Sequence, residues 1–378
     1  MTVEKLVESN NTFGFTLLNH LLDEEPLKNI FISPASIALA LAMTANGADD
    51  ETAVALRQTL QWGAMSQTTV NQMLQLLWQS LHAADPQVQL AMANSLWAEP
   101  MFPFAAQFLQ QVTQHYAAKI TNLDFSDEEA AVVAAAVINQ WVAEQTRQKI
   151  TDLLSPGDVL KAVLVLVNAI YFKGEWQAKF DKNDTTEGKF HLAGGGAKTR
   201  PMMRQTGEFA YDETPDFQVI SLPFGNGRFR MVVLLPAPQL PLAHLLRDLT
   251  PEAWGRIVGR LQYAMSTGTI VLPRFKAAYK RSLLPDLVKL GFSSNCFPNM
   301  SATGELFFIS KVIHEAVLEV NEEGAEAAAA TAVVMSRSMP SPPFHMVVDR
   351  PFYCALEDLQ TGIILFTGAI YEPGEIRS

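Results

Sequence analysis

Residues Glu322–Ser338 read E-E-G-A-E-A-A-A-A-T-A-V-V-M-S-R-S. Two glutamates and a glycine lead into a run of small side chains, which ends at a single arginine beside a serine. Propensity alone makes 325–330 helical, because alanine is the best helix former and glutamate follows closely. The preceding residues open a second reading. Ile309 to Val320 alternates like a strand, with Val312, His314, Ala316, Leu318 and Val320 in one row. Carried onward, that parity meets Glu322, Gly324 and Glu326, which cannot be a core face. A one-residue shift at the glycine gives Ala325, Ala327, Ala329, Thr331, Val333 and Met335, a row without charge. The segment is therefore ambivalent, able to be a solvated loop or helix or a strand buried on one side.

Three further blocks extend the pattern. Asn29–Ile37 reads N-I-F-I-S-P-A-S-I and continues as A-L-A-L-A-M-T-A-N-G-A to Ala48. Leu166–Trp176 reads L-V-N-A-I-Y-F-K-G-E-W, and Val348–Phe352 reads V-D-R-P-F. Together with Glu322–Thr331, and in this order, the blocks resemble those of the inhibitory serpins, which trap serine proteases by loop insertion. The resemblance spans 11–373. It implies one α+β domain over 1–378, with three β-sheets, eight or nine helices and an exposed reactive-centre loop at about 322–343.

The same resemblance assigns roles. Glu322, Glu323, Gly324, Ala325, Glu326, Ala327, Ala328, Ala329, Ala330 and Thr331 match the hinge of that loop. The family usually has threonine or serine where Ala325 stands. Ser33, Ser36, Asn168 and His314 match the buried polar cluster called the shutter, and Trp176 matches the tryptophan of the breach, where the loop first enters the sheet. On the residues alone, His314 lies in an apolar row and reads as a hydrogen-bonded core histidine rather than a ligand or base. Trp176 reads as a core aromatic.

Bulk properties bound the rest. The chain has 378 residues, 48% apolar, enough to bury a large core, and no linker, repeat or low-complexity break divides it. A net charge of −11 argues against nucleic acid, which needs clustered Lys and Arg, and permits attraction to basic proteases. No apolar run of about 18 residues points to a membrane span. The charged start M-T-V-E-K-L lacks the apolar core of a signal peptide. A cytoplasmic location is therefore expected, with an extracellular one left open. Cys296 and Cys354 sit in apolar surroundings and read as buried thiols.

Leu6, Phe13, Leu17 and Leu21 recur at helical spacing, and Ser33-Pro34 reads as a helix cap and first turn. Further helices are expected near 50–60, 67–83, 104–117, 127–148, 242–261 and 281–290. Strands are expected at 88–97, 163–172, 217–223, 229–235, 270–275, 307–320, 345–348 and 363–370, with Asn226-Gly227 turning a hairpin. Early helices and late strands fit an α+β fold with antiparallel or mixed sheets.

Catalytic constellations are missing: there is no G-x-S-x-G, P-loop, C-x-x-C or H-E-x-x-H, and His314-Glu315 has no second histidine. The chain reads as an inhibitor and not an enzyme, with no cofactor and no metal site. As a serpin it is expected to be a monomer that ends in covalent complex with its protease. The expected reactive bond is Arg337–Ser338, since arginine suits a trypsin-like pocket bearing a carboxylate. The commoner family spacing from Gly324 puts the cut after Ser338 instead, which would leave Pro340 two residues beyond it. Two other readings stay open: a non-inhibitory serpin acting as a binding protein or chaperone, and an unrecognised hydrolase.

Overall fold

The computed structural model describes residues 3–293, 296–324 and 342–376. Helix Val3–Glu24 opens the chain with Leu6, Phe13, Leu17 and Leu21 inward, and helix Pro34–Ala45 follows, buried along its whole length. Ser33 caps that second helix, its hydroxyl oxygen accepting from the Ser36 amide, while Pro34 occupies the first turn where no N–H is needed. The expected helix over 242–261 is two, Leu242–Arg247 and Pro251–Leu261. Thr250 caps the second, and Pro251, lacking an amide hydrogen, forces the break.

Among the described residues the central sheet has five strands, in the spatial order Phe275–Ser282, Ile309–Val320, Leu164–Gly174, Val88–Ala98 and Lys119–Asn122. Its middle pair, Ile309–Val320 and Leu164–Gly174, is parallel, and His314 lies opposite Asn168. Both outer neighbours run antiparallel to that pair. One face carries Leu164, Leu166, Ile170, Val312, Ala316 and Leu318 into the main core. The other carries Val165, Val167, Tyr171, Ile313 and Val317 beneath helix Glu128–Gln145 and the segment after it. Coverage on both sides is why 164–172 is apolar at every position but Asn168 and does not alternate.

The other nine strands among the described residues form one continuous ladder. The 17-residue strand Ala197–Glu213 joins it, pairing over 202–210 with Met265–Pro273 and over 210–213 with Phe217–Phe224. The two smaller sheets of the expected three are thus fused through one long strand. Ten α-helices stand among the described residues, one of them the single turn Pro156–Val159. Ala197–Glu213 was not expected as a strand, because Pro201, Gly207 and scattered charges hide its alternation; Thr186–His191 and Phe352–Asp358 were likewise missed. No helix among the described residues is long and apolar enough to cross a membrane. Both cysteines are free thiols: Cys354 is buried, but Cys296 is only half-buried, beside the Asp49 carboxylate.

Candidate functional site

Two constellations sit on the central parallel pair. The first is polar and buried at mid-strand. His314 and Asn168 face each other in register, and the His314 Nδ1–H donates to Asn168 Oδ1 at 2.6 Å. The Ser33 amide, which can only donate, points at His314 Nε2 at 3.3 Å. That fixes the neutral tautomer with its proton on Nδ1. Burial pushes the His314 pKa down to about 3, in keeping with a ring that has no place for a second proton. Asn168 Nδ2 donates to the Ser36 carbonyl at 3.1 Å and to Asn94 Oδ1 at 2.5 Å, and also reaches the Ser36 hydroxyl. The Ser33 hydroxyl donates to the Leu365 carbonyl at 2.6 Å.

Ser33, Ser36, Asn168 and His314 are therefore brought into one network that ties helix Pro34–Ala45 to both central strands. Asn94 was missed. It lies opposite Asn168 on the next strand and is 5% exposed. Gln89 and Ser95 share its strand, so nothing in the 88–98 segment singled Asn94 out.

The second constellation closes the top of the same pair. After Val320 the chain turns through Asn321–Gly324 and is held there by the segment after Gly174. Trp176 Nε1 donates to the Asn321 carbonyl at 2.8 Å, and the Trp176 amide donates to the Glu323 carbonyl at 3.1 Å. The indole is buried, stacked on Phe224 with ring centres 4.3 Å apart. Glu322 is 3% exposed, and its carboxylate takes Thr185 Oγ1 at 2.8 Å and the Arg274 guanidinium at 2.9 Å. Glu323 pairs with Lys182 at 2.5 Å. Gly324 has φ +85°, and a Cβ there would lie 2.3 Å from the Trp176 nitrogen, so only glycine fits. Thr185, Arg274 and Lys182 were not legible as partners, being far from the turn in sequence.

Of the expected hinge, the structure describes Glu322, Glu323 and Gly324. Ala325, Glu326, Ala327, Ala328, Ala329, Ala330 and Thr331 lie outside the described residues, as do Arg337 and Ser338. The described chain resumes before strand Phe344–Val347, which lies parallel to Met265–Pro273. Phe344 stacks on Tyr211 at 3.9 Å there.

A mixed sheet with parallel central strands, pinned at its middle by a buried polar cluster and at its top by a tight turn, defines a class of protease inhibitors. The family model that matches is Serpin (serine protease inhibitor), over residues 8–373, and the chain belongs to that family. It is 35% identical to human leukocyte elastase inhibitor over 98% of this chain and the whole of that protein. Its identity to human antithrombin-III is 34%, over 98% of this chain and 82% of the relative. Among solved structures, human glycosylated kallistatin superposes with a TM-score of 0.87 at 27% identity, covering both chains completely. Arabidopsis AtSerpin1 in its native stressed conformation gives 0.87 at 28% identity over 99% of each. These relatives are inhibitors, not enzymes.

Proposed function

We propose that this chain is a suicide inhibitor of trypsin-like serine proteases, with 322–343 as its reactive-centre loop and Arg337–Ser338 as the bond attacked. The observation that carries the reading is the direct parallel pairing of Ile309–Val320 with Leu164–Gly174. Two parallel neighbours can each take the same antiparallel strand between them, and the chain leaving Val320 through a tight turn heads in that direction. After cleavage to the acyl-enzyme, insertion of about 14 residues at roughly 3.3 Å each moves the attached protease some 45 Å. Distortion of its oxyanion hole, worth about 10²–10³ in rate per donor, then stalls deacylation. On this reading Glu322–Thr331 are the hinge, and Ser33, Ser36, Asn168 and His314 hold the sheet shut until cleavage. Trp176 stands at the point of entry. One monomer consumes one protease.

The test is incubation with trypsin followed by a denaturing gel and mass spectrometry. The expected result is an SDS-stable complex and a released peptide beginning at Ser338. A peptide beginning at Met339 would overturn the choice of bond. Ala327→Arg places a charge in the inward row and turns the chain into an ordinary substrate, cleaved at least tenfold more often than it traps; undiminished complex formation by that variant refutes insertion. Cleavage of the unaltered chain without any complex would make it a non-inhibitory binding protein.

A further inference from the structure

Glu315 occupies the middle of strand Ile309–Val320, beside the shutter histidine but on the opposite face. In register it lies between Ala169 on one neighbour and Lys280 on the other. It is half-buried beneath the segment that follows helix Glu128–Gln145. Among the described residues its carboxylate makes no hydrogen bond or ion pair. The charged groups around it are engaged elsewhere. Lys280 donates to the Asp152 carbonyl oxygen at 2.9 Å, while Lys149 and Lys276 pair with Glu319 at 3.0 and 3.6 Å. Lys311 lies in the field of Asp158. Burial first, and then the Asp152 carboxylate, push the Glu315 pKa up to about 7, against the pull of Lys280 and Lys276.

We propose that Glu315 is a proton-operated latch on the central sheet, holding the middle strands together when protonated and favouring their separation when ionised. An ionised carboxylate in the closed sheet is partly stripped of water and has no partner; parting the strands admits water and relieves it. The folded group titrates near 7 and the free one near 4.5. Its stabilising contribution is therefore complete below 4.5 and lost as pH rises through 7. Inhibition becomes faster in neutral to alkaline surroundings, and the unused inhibitor is preserved in mildly acid ones. The effect on trapping rests on the insertion mechanism proposed above, whereas the effect on the intact sheet does not.

Two measurements on the full chain separate these levels. The first compares the urea midpoint of the wild type with Glu315→Gln from pH 5 to 9; the wild type loses stability across pH 6–8 relative to the variant. The second is the rate of SDS-stable complex formation with trypsin, taken as the wild-type to Glu315→Gln ratio so that the protease's own pH profile cancels. That ratio rises about tenfold from pH 6 to 8, the change expected for a group moving from 7 to 4.5 when the sheet opens. If Glu315→Gln does not fold, Asp152→Asn serves instead and moves the midpoint below 7. A constant urea difference across pH 5–9 overturns the latch, and so does a flat rate ratio where complex forms. A pH-linked urea difference with no complex formed supports the latch and removes the insertion mechanism.

Discussion

Replacing His314 by leucine keeps an apolar side chain of similar length and removes both ring nitrogens. Asn168 Oδ1 loses a donor at 2.6 Å and the Ser33 amide loses its acceptor, and both positions are at most 1% exposed. An unsatisfied buried polar group costs about 1–3 kcal/mol, and the 3.3 Å contact belongs at the low end, so the sum is about 3 kcal/mol. With an unfolding entropy of roughly 2 cal/mol/K per residue over this chain, that lowers Tm by about 4 °C. The more telling effect is local. Since the lost His314–Asn168 bond joins the two central strands, about 2 kcal/mol of the loss falls on their separation, roughly a 30-fold rise in local opening. Hydrogen exchange at pH 7 reads this directly. Without denaturant, amides of 313–318 exchange about 30-fold faster in His314→Leu through local opening, while those of strand Phe229–Pro236 that exchange only by global unfolding follow the whole loss of about 3 kcal/mol, about 150-fold. Unchanged protection at 313–318, or an equal change everywhere, would refute the idea that this cluster controls the seam.

Further outcomes follow from neighbouring residues. The His314 ring stays neutral in the folded state to about pH 3 but takes a proton near 6.5 when unfolded, so its contribution is complete above 6.5 and lost as pH falls. Glu315 has the opposite slope between 4.5 and 7, so the two nearly cancel from 4.5 to 6.5; urea midpoints there are flat for these groups in the wild type, rise on acidification in His314→Leu and fall in Glu315→Gln. Gly324→Ala forces a side chain against the Trp176 backbone at positive φ and lowers stability by about 2–3 kcal/mol, with red-shifted tryptophan emission as the turn leaves the indole. An unshifted emission and midpoint would show that the turn yields without strain.

Legibility followed the range of the interactions. The Ser33–Pro34 cap and the two-sided burial of 164–172 are local, and each was readable from its own residues. His314 was legible as a satisfied core polar group because a lone imidazole in an apolar row has few alternatives, but its partner Asn168 is 146 positions away. The fourfold polar cluster came from family resemblance and not from spacing. Asn94, Thr185 and Arg274 escaped because nothing nearby in sequence distinguishes a polar residue with a distant buried partner from one facing water. Ala197–Glu213 escaped because its pairing changes from one neighbour to another partway along, so its faces exchange environments and no single period survives.

On the proposed insertion mechanism, the two constellations have separate tasks. A strand inserted between Leu164–Gly174 and Ile309–Val320 replaces one parallel seam with two antiparallel ones, adding about a dozen backbone hydrogen bonds at roughly 1 kcal/mol net each. Ordering about 14 loop residues costs roughly 1–2 kcal/mol each, so these bonds alone do not set the balance; the proposed trap requires that the closed five-stranded sheet be held kinetically. Placement then matters more than strength. The Trp176–Asn321 contact fixes where the chain leaves the sheet, and the His314–Asn168 contact sits halfway down, so a strand entering at the top meets the clasp only after several pairs have formed. A clasp at the top would resist the first step, when little has been gained, and would slow trapping. At mid-strand it is broken by an insertion already under way, while still opposing spontaneous parting of the intact pair.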